Sequence, residues 1–285
     1  MKSIKTLSAI GFIALMFLSA CGTKSTDNKK EVEKEEPGLQ VYAFEVGDIL
    51  VKDISLFNAG VDAGQSKQFT NTAYLIRHPK GDLIWDTGLP DALAEAADGN
   101  DSPGFLMKMP KTLSSQLQGI GYNAADVDFI AVSHLHGDHI GNMNLFTGAT
   151  VLLQEEEYAG LFEGAQPNPA VASLINNEAI KLKGDHDVFG DSSVVIMRAP
   201  GHTAGHQVLF LDLPETGPVL LSGDLWHFSK NRELRGVPQF NVDVDATLAS
   251  MDKVEAFLKE KNATLWIQHD YDQQQGIPHA PEVIK

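Results

Sequence analysis

Three histidines and one aspartate occupy residues 134–139, within the segment SHLHGDHIGN, although the whole chain has only ten histidines. Imidazole nitrogens and carboxylate oxygens are the atoms with which proteins bind zinc and similar divalent ions. His134 and His136 are two positions apart, so on extended backbone their side chains project to the same side. Asp138 and His139 follow where the chain can turn towards a second point. The segment therefore predicts a metal site.

Other potential ligands follow apolar segments further along the chain. They are His202 and His206 in APGHTAGH, Asp224 in LLSGD, and His269 and Asp270 in WIQHD. Each is a weak signal alone, because histidine and aspartate are also common in turns and helix caps. Within the first segment, Gly137 and Gly141 are expected to permit tight turns.

These residues need a scaffold of strands that end close together. Apolar alternation and β-branched runs predict strands near residues 40–46, 49–56, 70–77, 83–85, 129–133, 150–154, 180–183, 193–200, 207–213, 218–222 and 264–268. Helical spacing predicts helices at 90–98, 111–119, 155–162 and 244–260. The order of strands followed by helices occurs twice along the chain. It predicts an α/β fold of four layers over residues 39–285, an αββα sandwich in which two sheets pack face to face with helices outside.

The full set of motifs resembles the metallo-β-lactamase superfamily. The resemblance rests on H-x-H-x-D-H, a glycine–histidine turn, an aspartate after a strand and a late histidine, with DTG at residues 86–88 as a further match. It implies two divalent metal ions, most simply Zn²⁺, although manganese, cobalt or iron would accept the same ligands. The ligands it implies are His134, His136 and His202 for one metal, Asp138, His139 and His269 for the other, and Asp224 bridging both. It gives Asp86 and His206 supporting rather than ligating roles.

Within that superfamily, HLHGDHIGN, APGHTAGHQ and SGDLWHF are similar to the motif blocks of N-acyl homoserine lactonases. The resemblance implies opening of a lactone ring by a metal-bridging hydroxide, with Asp138 moving a proton. His227 stands where studied members have a tyrosine, and a histidine can still donate a hydrogen bond to the substrate carbonyl. The alternatives are a broader esterase, a phosphotriesterase, a β-lactam hydrolase, or a metal-binding lipoprotein without turnover.

The segment GFLMKMP, residues 104–110, is the best candidate for a groove that accepts the acyl chain, since leucine and methionine side chains adapt to ligands of variable length. Ordinary core packing would explain the same segment.

The N-terminal residues indicate export and anchoring. Lys2 and Lys5 precede an apolar run, and LSAC ends at Cys21, the only cysteine of the chain. This resembles a bacterial lipoprotein signal over residues 1–20, with a lipid on Cys21 and a polar linker over 21–38. Gly22 in place of an aspartate favours the outer membrane within the cell envelope.

Charge argues against nucleic-acid substrates. Removal of the signal would leave 20 basic and 38 acidic side chains, a formal charge of −18. A nucleic-acid enzyme normally presents a basic face. We therefore expect a small, uncharged ester or lactone as substrate and the membrane, through the lipid, as the other partner.

Overall fold

The structure, a computed structural model, describes residues 38–166 and 168–285. The expected signal, Cys21 and nearly all of the expected linker lie outside these residues. None of the helices in the described part has the length and apolar character that crossing a membrane requires.

Two sheets form the centre of the fold. The larger has the strand order β4-β5-β1-β2-β3-β6-β7-β8, and the smaller has the order β13-β12-β11-β10-β9. The strands are β1 Gln40–Val51, β2 Lys67–His78, β3 Gly81–Trp85, β4 Asn100–Ser102, β5 Phe105–Lys108, β6 Phe129–Ala131, β7 Thr150–Gln154, β8 Ala179–Leu182, β9 His186–Asp187, β10 Val194–Arg198, β11 Gln207–Leu213, β12 Gly217–Leu221 and β13 Thr264–Trp266.

Three helices cover the outer faces of the sheets: α1 Leu113–Gly119 and α3 Glu155–Phe162 on the larger sheet, and α5 Val244–Lys261 on the smaller. The three remaining α-helices of the described residues are short: α2 Gly137–Ile140, α4 Ser229–Glu233 and α6 Tyr271–Gln274. The longest, α5, begins at Asp243, whose carboxylate accepts the N–H of Ala246, and ends at Asn262 in the left-handed conformation. It buries Met251, Val254 and Leu258 on one face, which packs on the smaller sheet.

Three apolar clusters show the layering. One joins residues of both sheets, such as Tyr74 and Leu209, and so lies between them. A second packs the larger sheet against α1 and α3. A third packs the smaller sheet against α5. The αββα arrangement predicted from the sequence is therefore correct. It explains why strand β2 is buried over eight consecutive residues, from 69 to 76, because both of its faces are covered.

Two of the predicted local elements are wrong. The strands expected at 40–46 and 49–56 are one strand, β1, whose pairing with β2 shifts between Glu45 and Gly47. The helix expected at 90–98 is only a 3₁₀ turn over Asp91–Glu95. The Asp91 carboxylate accepts the N–H groups of Leu113 and Ser114 and so caps α1 instead of its own segment. The hairpin of β4 and β5 was not predicted.

Five strand ends meet at one edge of the sandwich and supply the site. Strands β3, β6, β10, β12 and β13 lead directly into Asp86, His134, His202, Asp224 and His269. Strand β3 is parallel to β6, and β12 is parallel to β13. The carboxyl ends of parallel strands lie at the same edge, so residues far apart in sequence converge there.

Candidate functional site

The first donor group consists of one ligand atom each from His134, His136, His202 and Asp224, all within 4.8 Å of one another. His136 Nδ1 lies 2.8 Å from His134 Nε2 and 3.1 Å from His202 Nε2. Asp224 Oδ2 lies 3.3 Å from His202 Nε2. Four nitrogen and oxygen atoms thus converge on one point.

The second donor group consists of Asp138, His139 and His269. The Nε2 atoms of the two histidines are 3.3 Å apart, and Asp138 Oδ2 lies 3.7 and 3.6 Å from them. Asp224 Oδ1 is 3.2 Å from His139 Nε2 and 3.0 Å from His269 Nε2. Asp224 therefore presents one oxygen to each group, the arrangement expected of a carboxylate shared by two metals.

The protonation of the first group suits a metal ion. Burial lowers the pKa of His134, His136 and His202, so these imidazoles stay neutral at physiological pH, and neutral imidazole is the form that binds metal. The group contains nitrogen and oxygen only, which divalent zinc, manganese, cobalt and iron all accept. The residues present therefore fit divalent metal ions.

The second group is more strongly charged. Burial opposes protonation of His139 and His269, but Asp224 and Asp138 attract the proton and raise the pKa of both histidines. A protonated imidazole cannot bind a metal, so metal binding at this group is expected to release protons.

Asp86 supports the second group without joining it. Its buried carboxylate accepts the N–H of Ser133 at 2.6 Å and faces His139 Nδ1 at 3.1 Å. A proton held on Nδ1 leaves Nε2 of His139 free to face the other donors. Ser133 Oγ also lies 3.0 Å from Nδ1 of both His134 and His139.

His206 positions the backbone of Asp224. Its Nδ1–H donates to the Ala199 carbonyl at 3.0 Å, and its Nε2 accepts the N–H of Asp224 at 2.9 Å. Burial lowers the pKa of His206 to about 3, which keeps the ring in the neutral form that this pair of bonds requires. Both ring nitrogens are thus occupied by backbone groups. Asp270 is likewise not a ligand, since its carboxylate accepts the N–H groups of Ser229 and Gln273 at a helix start.

His227 lies in the site beside the shared carboxylate of Asp224. Its Nε2 is 3.0 Å from Asp224 Oδ2, and its buried Nδ1 has no hydrogen-bond partner among the described residues. The ring of Phe57 packs against it with centroids 4.5 Å apart. In the structure Nε2 is directed at Asp224 Oδ2, and donation to the substrate stays a prediction.

An apolar groove of about 210 Å³ opens beside the donor atoms of Asp138, Asp224 and His269. Its apolar lining consists of Ile49, Phe57, Phe69, Phe105, Met107 and Phe240. Phe105 and Met107 come from the predicted segment 104–110, where alternation along β5 turns every second side chain to the groove. Met109 does not line the groove, although it belongs to the same buried cluster as Phe57 and Phe69. No sequence signal pointed to the three other phenylalanines.

The two glycines of the first segment differ from expectation. Neither has a left-handed backbone, so neither position needs glycine for its φ angle. A Cβ at Gly141 would lie 2.4 Å from Pro90 N, while a Cβ at Gly137 would meet nothing within 4 Å. Gly141 is therefore needed for close approach of two backbones, and Gly137 is not needed for either purpose.

Comparison with known proteins agrees with this geometry. N-acyl homoserine lactonase of Bacillus thuringiensis is 28% identical over 239 residues, covering 81% of this chain and 94% of the relative. A lactonase of Rhizobium radiobacter is 28% identical over 225 residues, covering 73% and 85%. A crystal structure of a quorum-quenching N-acyl homoserine lactone lactonase superposes with a TM-score of 0.72 at 28% identity, covering 86% of this chain and 98% of that one.

The family model described as the metallo-beta-lactamase superfamily matches residues 67–264, which is more than half of the chain. That range contains every residue of the first donor group. It also contains Asp138 and His139 of the second group, but not His269. The chain therefore belongs to the metallo-β-lactamase superfamily.

Proposed function

We propose that this chain is a dinuclear metal-dependent hydrolase that opens the lactone ring of N-acyl homoserine lactones. The observation that carries the proposal is Asp224, which presents one oxygen to each donor group at the end of an apolar groove. A purely structural metal site would normally be closed by its ligands. The relatives named above act on the same class of lactone.

His134, His136 and His202 would hold one metal, Asp138, His139 and His269 the other, and Asp224 both. We propose zinc at both. When bound, the two ions would supply a water molecule acidic enough to serve as nucleophile near neutral pH, and positive charge to stabilise the developing oxyanion.

The chain's own residues bind the substrate and move the proton. The groove is apolar, and its described lining contains no lysine or arginine, which suits an uncharged acyl chain and excludes water around it. Asp138 lines the groove and has a quarter of its side chain exposed, so the carboxylate oxygen that does not hold the metal can take the proton of the attacking water and deliver it to the ring oxygen. Water is thus added across the ester C–O bond, and the product is the open N-acyl homoserine.

We assign a positioning role to His227. With its Nε2–H donated to Asp224 Oδ2, it fixes the orientation of the shared carboxylate. Donation to the substrate carbonyl would require the ring to leave that partner when substrate binds.

Proton release tests the function. The chain from residue 22 to 285, loaded with zinc, should release acid rapidly at neutral pH when given a long-chain N-acyl homoserine lactone, and His136→Ala should lose both zinc and activity. Turnover without metal would refute the mechanism. A zinc-loaded protein that leaves the lactone intact but hydrolyses a phosphotriester or a β-lactam would identify one of the alternative activities.

We also propose that the protein is lipid-anchored in the bacterial cell envelope through Cys21. The apolar run before the only cysteine of the chain supports this. The full-length chain should partition with membranes, and Cys21→Ser should release it or leave its signal uncleaved. Unchanged membrane partitioning and processing of Cys21→Ser would contradict the proposal.

A further inference from the structure

The three histidines of the first donor group come from two loops that do not follow one another in the chain. One loop carries His134 and His136 after β6, and the other carries His202 after β10. Their relative position decides whether the three nitrogens converge. A residue that bonds to both loops would therefore control the geometry of this group.

Glu157 makes such bonds. It lies in the first turn of α3, and only 1% of its surface is exposed. Its Oε2 accepts the N–H of Leu135, which lies between the two ligands of the first loop, at 2.9 Å. Its Oε1 accepts the N–H of Gly205, in the second loop, at 2.8 Å. One buried carboxylate thus spans both loops.

Glycines allow helix α3 to approach both loops closely. A Cβ at Gly205 would lie 2.9 Å from Glu157 Cγ, and a Cβ at Gly160 would lie 2.9 Å from Leu135 Cδ2. At Gly205 the added Cβ would also lie 3.1 Å from Glu157 N, so glycine is needed there, whereas at Gly160 the flexible end of Leu135 could move aside. The second donor group receives no such bond from Glu157 in the described structure.

We propose that Glu157 is a positioning residue that sets the distance between the two loops of the first donor group and thereby its metal affinity. A buried carboxylate loses free energy when it leaves water and recovers it here through two backbone N–H donors. Substitution of groups that orient metal ligands commonly weakens binding by about 10- to 100-fold. The effect should fall on the first donor group alone. The inference rests on the proposed metal-dependent function.

Zinc affinity, measured by competition with a chelator, tests the proposal in two backgrounds. His269→Ala disables the second donor group, and His202→Ala disables the first. Glu157→Gln should weaken zinc binding by about 10- to 100-fold in the His269→Ala background. The glutamine oxygen can accept only one of the two backbone N–H groups, and the amide NH₂ must then face the other, so one loop loses its hydrogen bond. It should leave zinc binding unchanged in the His202→Ala background.

Glu157→Asp tests whether the reach of the side chain matters when its charge is kept. It also replaces Glu157→Gln in the test if circular dichroism shows that Glu157→Gln does not fold. It keeps the negative charge, but its side chain is one methylene shorter and cannot reach both loops. We expect it to weaken the first group as well. Wild-type affinity in Glu157→Asp would overturn the proposal, and so would equal losses in both backgrounds.

A matched control is Asp187→Asn. That carboxylate also accepts two backbone N–H groups, from Gly190 at 2.8 Å and Ser192 at 2.7 Å, but in the turn between β9 and β10. It should bind zinc as the parent does. Because the readout is zinc affinity, a chain that binds zinc as predicted but does not open lactones would refute the proposed function and leave the role of Glu157 intact.

Discussion

Asp86→Asn should weaken the second donor group while leaving the fold intact. Asp86 has a positive φ of 54°, and asparagine tolerates that left-handed backbone better than most residues. The two side chains have nearly the same shape. The substitution therefore removes the charge and one acceptor without creating a cavity.

The size of the effect follows from two hydrogen bonds. The Asp86 carboxylate accepts from Ser133 N at 2.6 Å and from His139 Nδ1 at 3.1 Å. The asparagine oxygen can replace only one of these acceptors, so the amide N–H₂ must face the other N–H. An unsatisfied buried donor costs about 1–3 kcal/mol, or about 5- to 150-fold in affinity. Ser133 Oγ lies 3.0 Å from His139 Nδ1 and can accept in its place, so we expect the lower part of this range.

The loss should appear in metal binding rather than in stability. Because Asp224 and Asp138 favour a protonated His139 in the metal-free chain, stability is compared at a pH high enough for a neutral ring, which can relieve the conflict by carrying its proton on Nε2. Ligation through Nε2 requires the proton on Nδ1, which restores the conflict. Stepwise zinc titration should therefore show one site weakened and one unchanged, with the unfolding free energy of the metal-free protein close to that of the parent. Asp91→Asn, which alters a carboxylate that also accepts two backbone N–H groups, is the control. Wild-type affinity at both sites in Asp86→Asn would refute the reasoning.

Three further predictions follow from the described contacts. Gly141→Ala should lower the unfolding free energy by about 1–3 kcal/mol, because its Cβ would lie 2.4 Å from Pro90 N. Gly137→Ala should be neutral in the same denaturant titration, and equal effects would contradict the steric argument. The pKa of His206 is about 3 when folded, below its ordinary 6.5, so its contribution to stability is complete above 6.5 and is lost as pH falls towards 3. In urea unfolding of the metal-free protein, the unfolding free energy of His206→Gln should therefore fall less steeply as the pH is lowered from 6.5 towards 3. The difference in slope should correspond to at most one fewer proton taken up on unfolding, and an unchanged slope would contradict the prediction. Met107→Trp should fill part of the groove and reduce kcat/KM for substrates with long acyl chains more than for substrates with short ones. An equal reduction for both would mean that the acyl chain does not bind in this groove.

Much of the site could be predicted from residue types and spacing. Ligand chemistry belongs to the side chain itself, so three histidines and an aspartate within residues 134–139 indicate a metal whatever surrounds them. Apolar runs before His134, Asp224 and His269 indicate strands, because local periodicity reflects local backbone geometry. The order of strands and helices then predicted the αββα fold, which the structure and the family match confirm.

What the sequence missed depends on residues that are distant along the chain. Phe57, Phe69 and Phe240 form one groove wall only because three separate segments pack together. Glu157 meets Leu135 and Gly205 across 22 and 48 positions.

The contact between His227 Nε2 and Asp224 Oδ2 was likewise not predicted, and the predicted contact of His227 with the substrate stays a prediction. The sequence by itself therefore determined which atoms can bind metal and which strands carry them. Only the tertiary structure decided which groups orient those atoms and what lines the groove, because a hydrogen bond or a packed ring depends on distances that local periodicity does not specify.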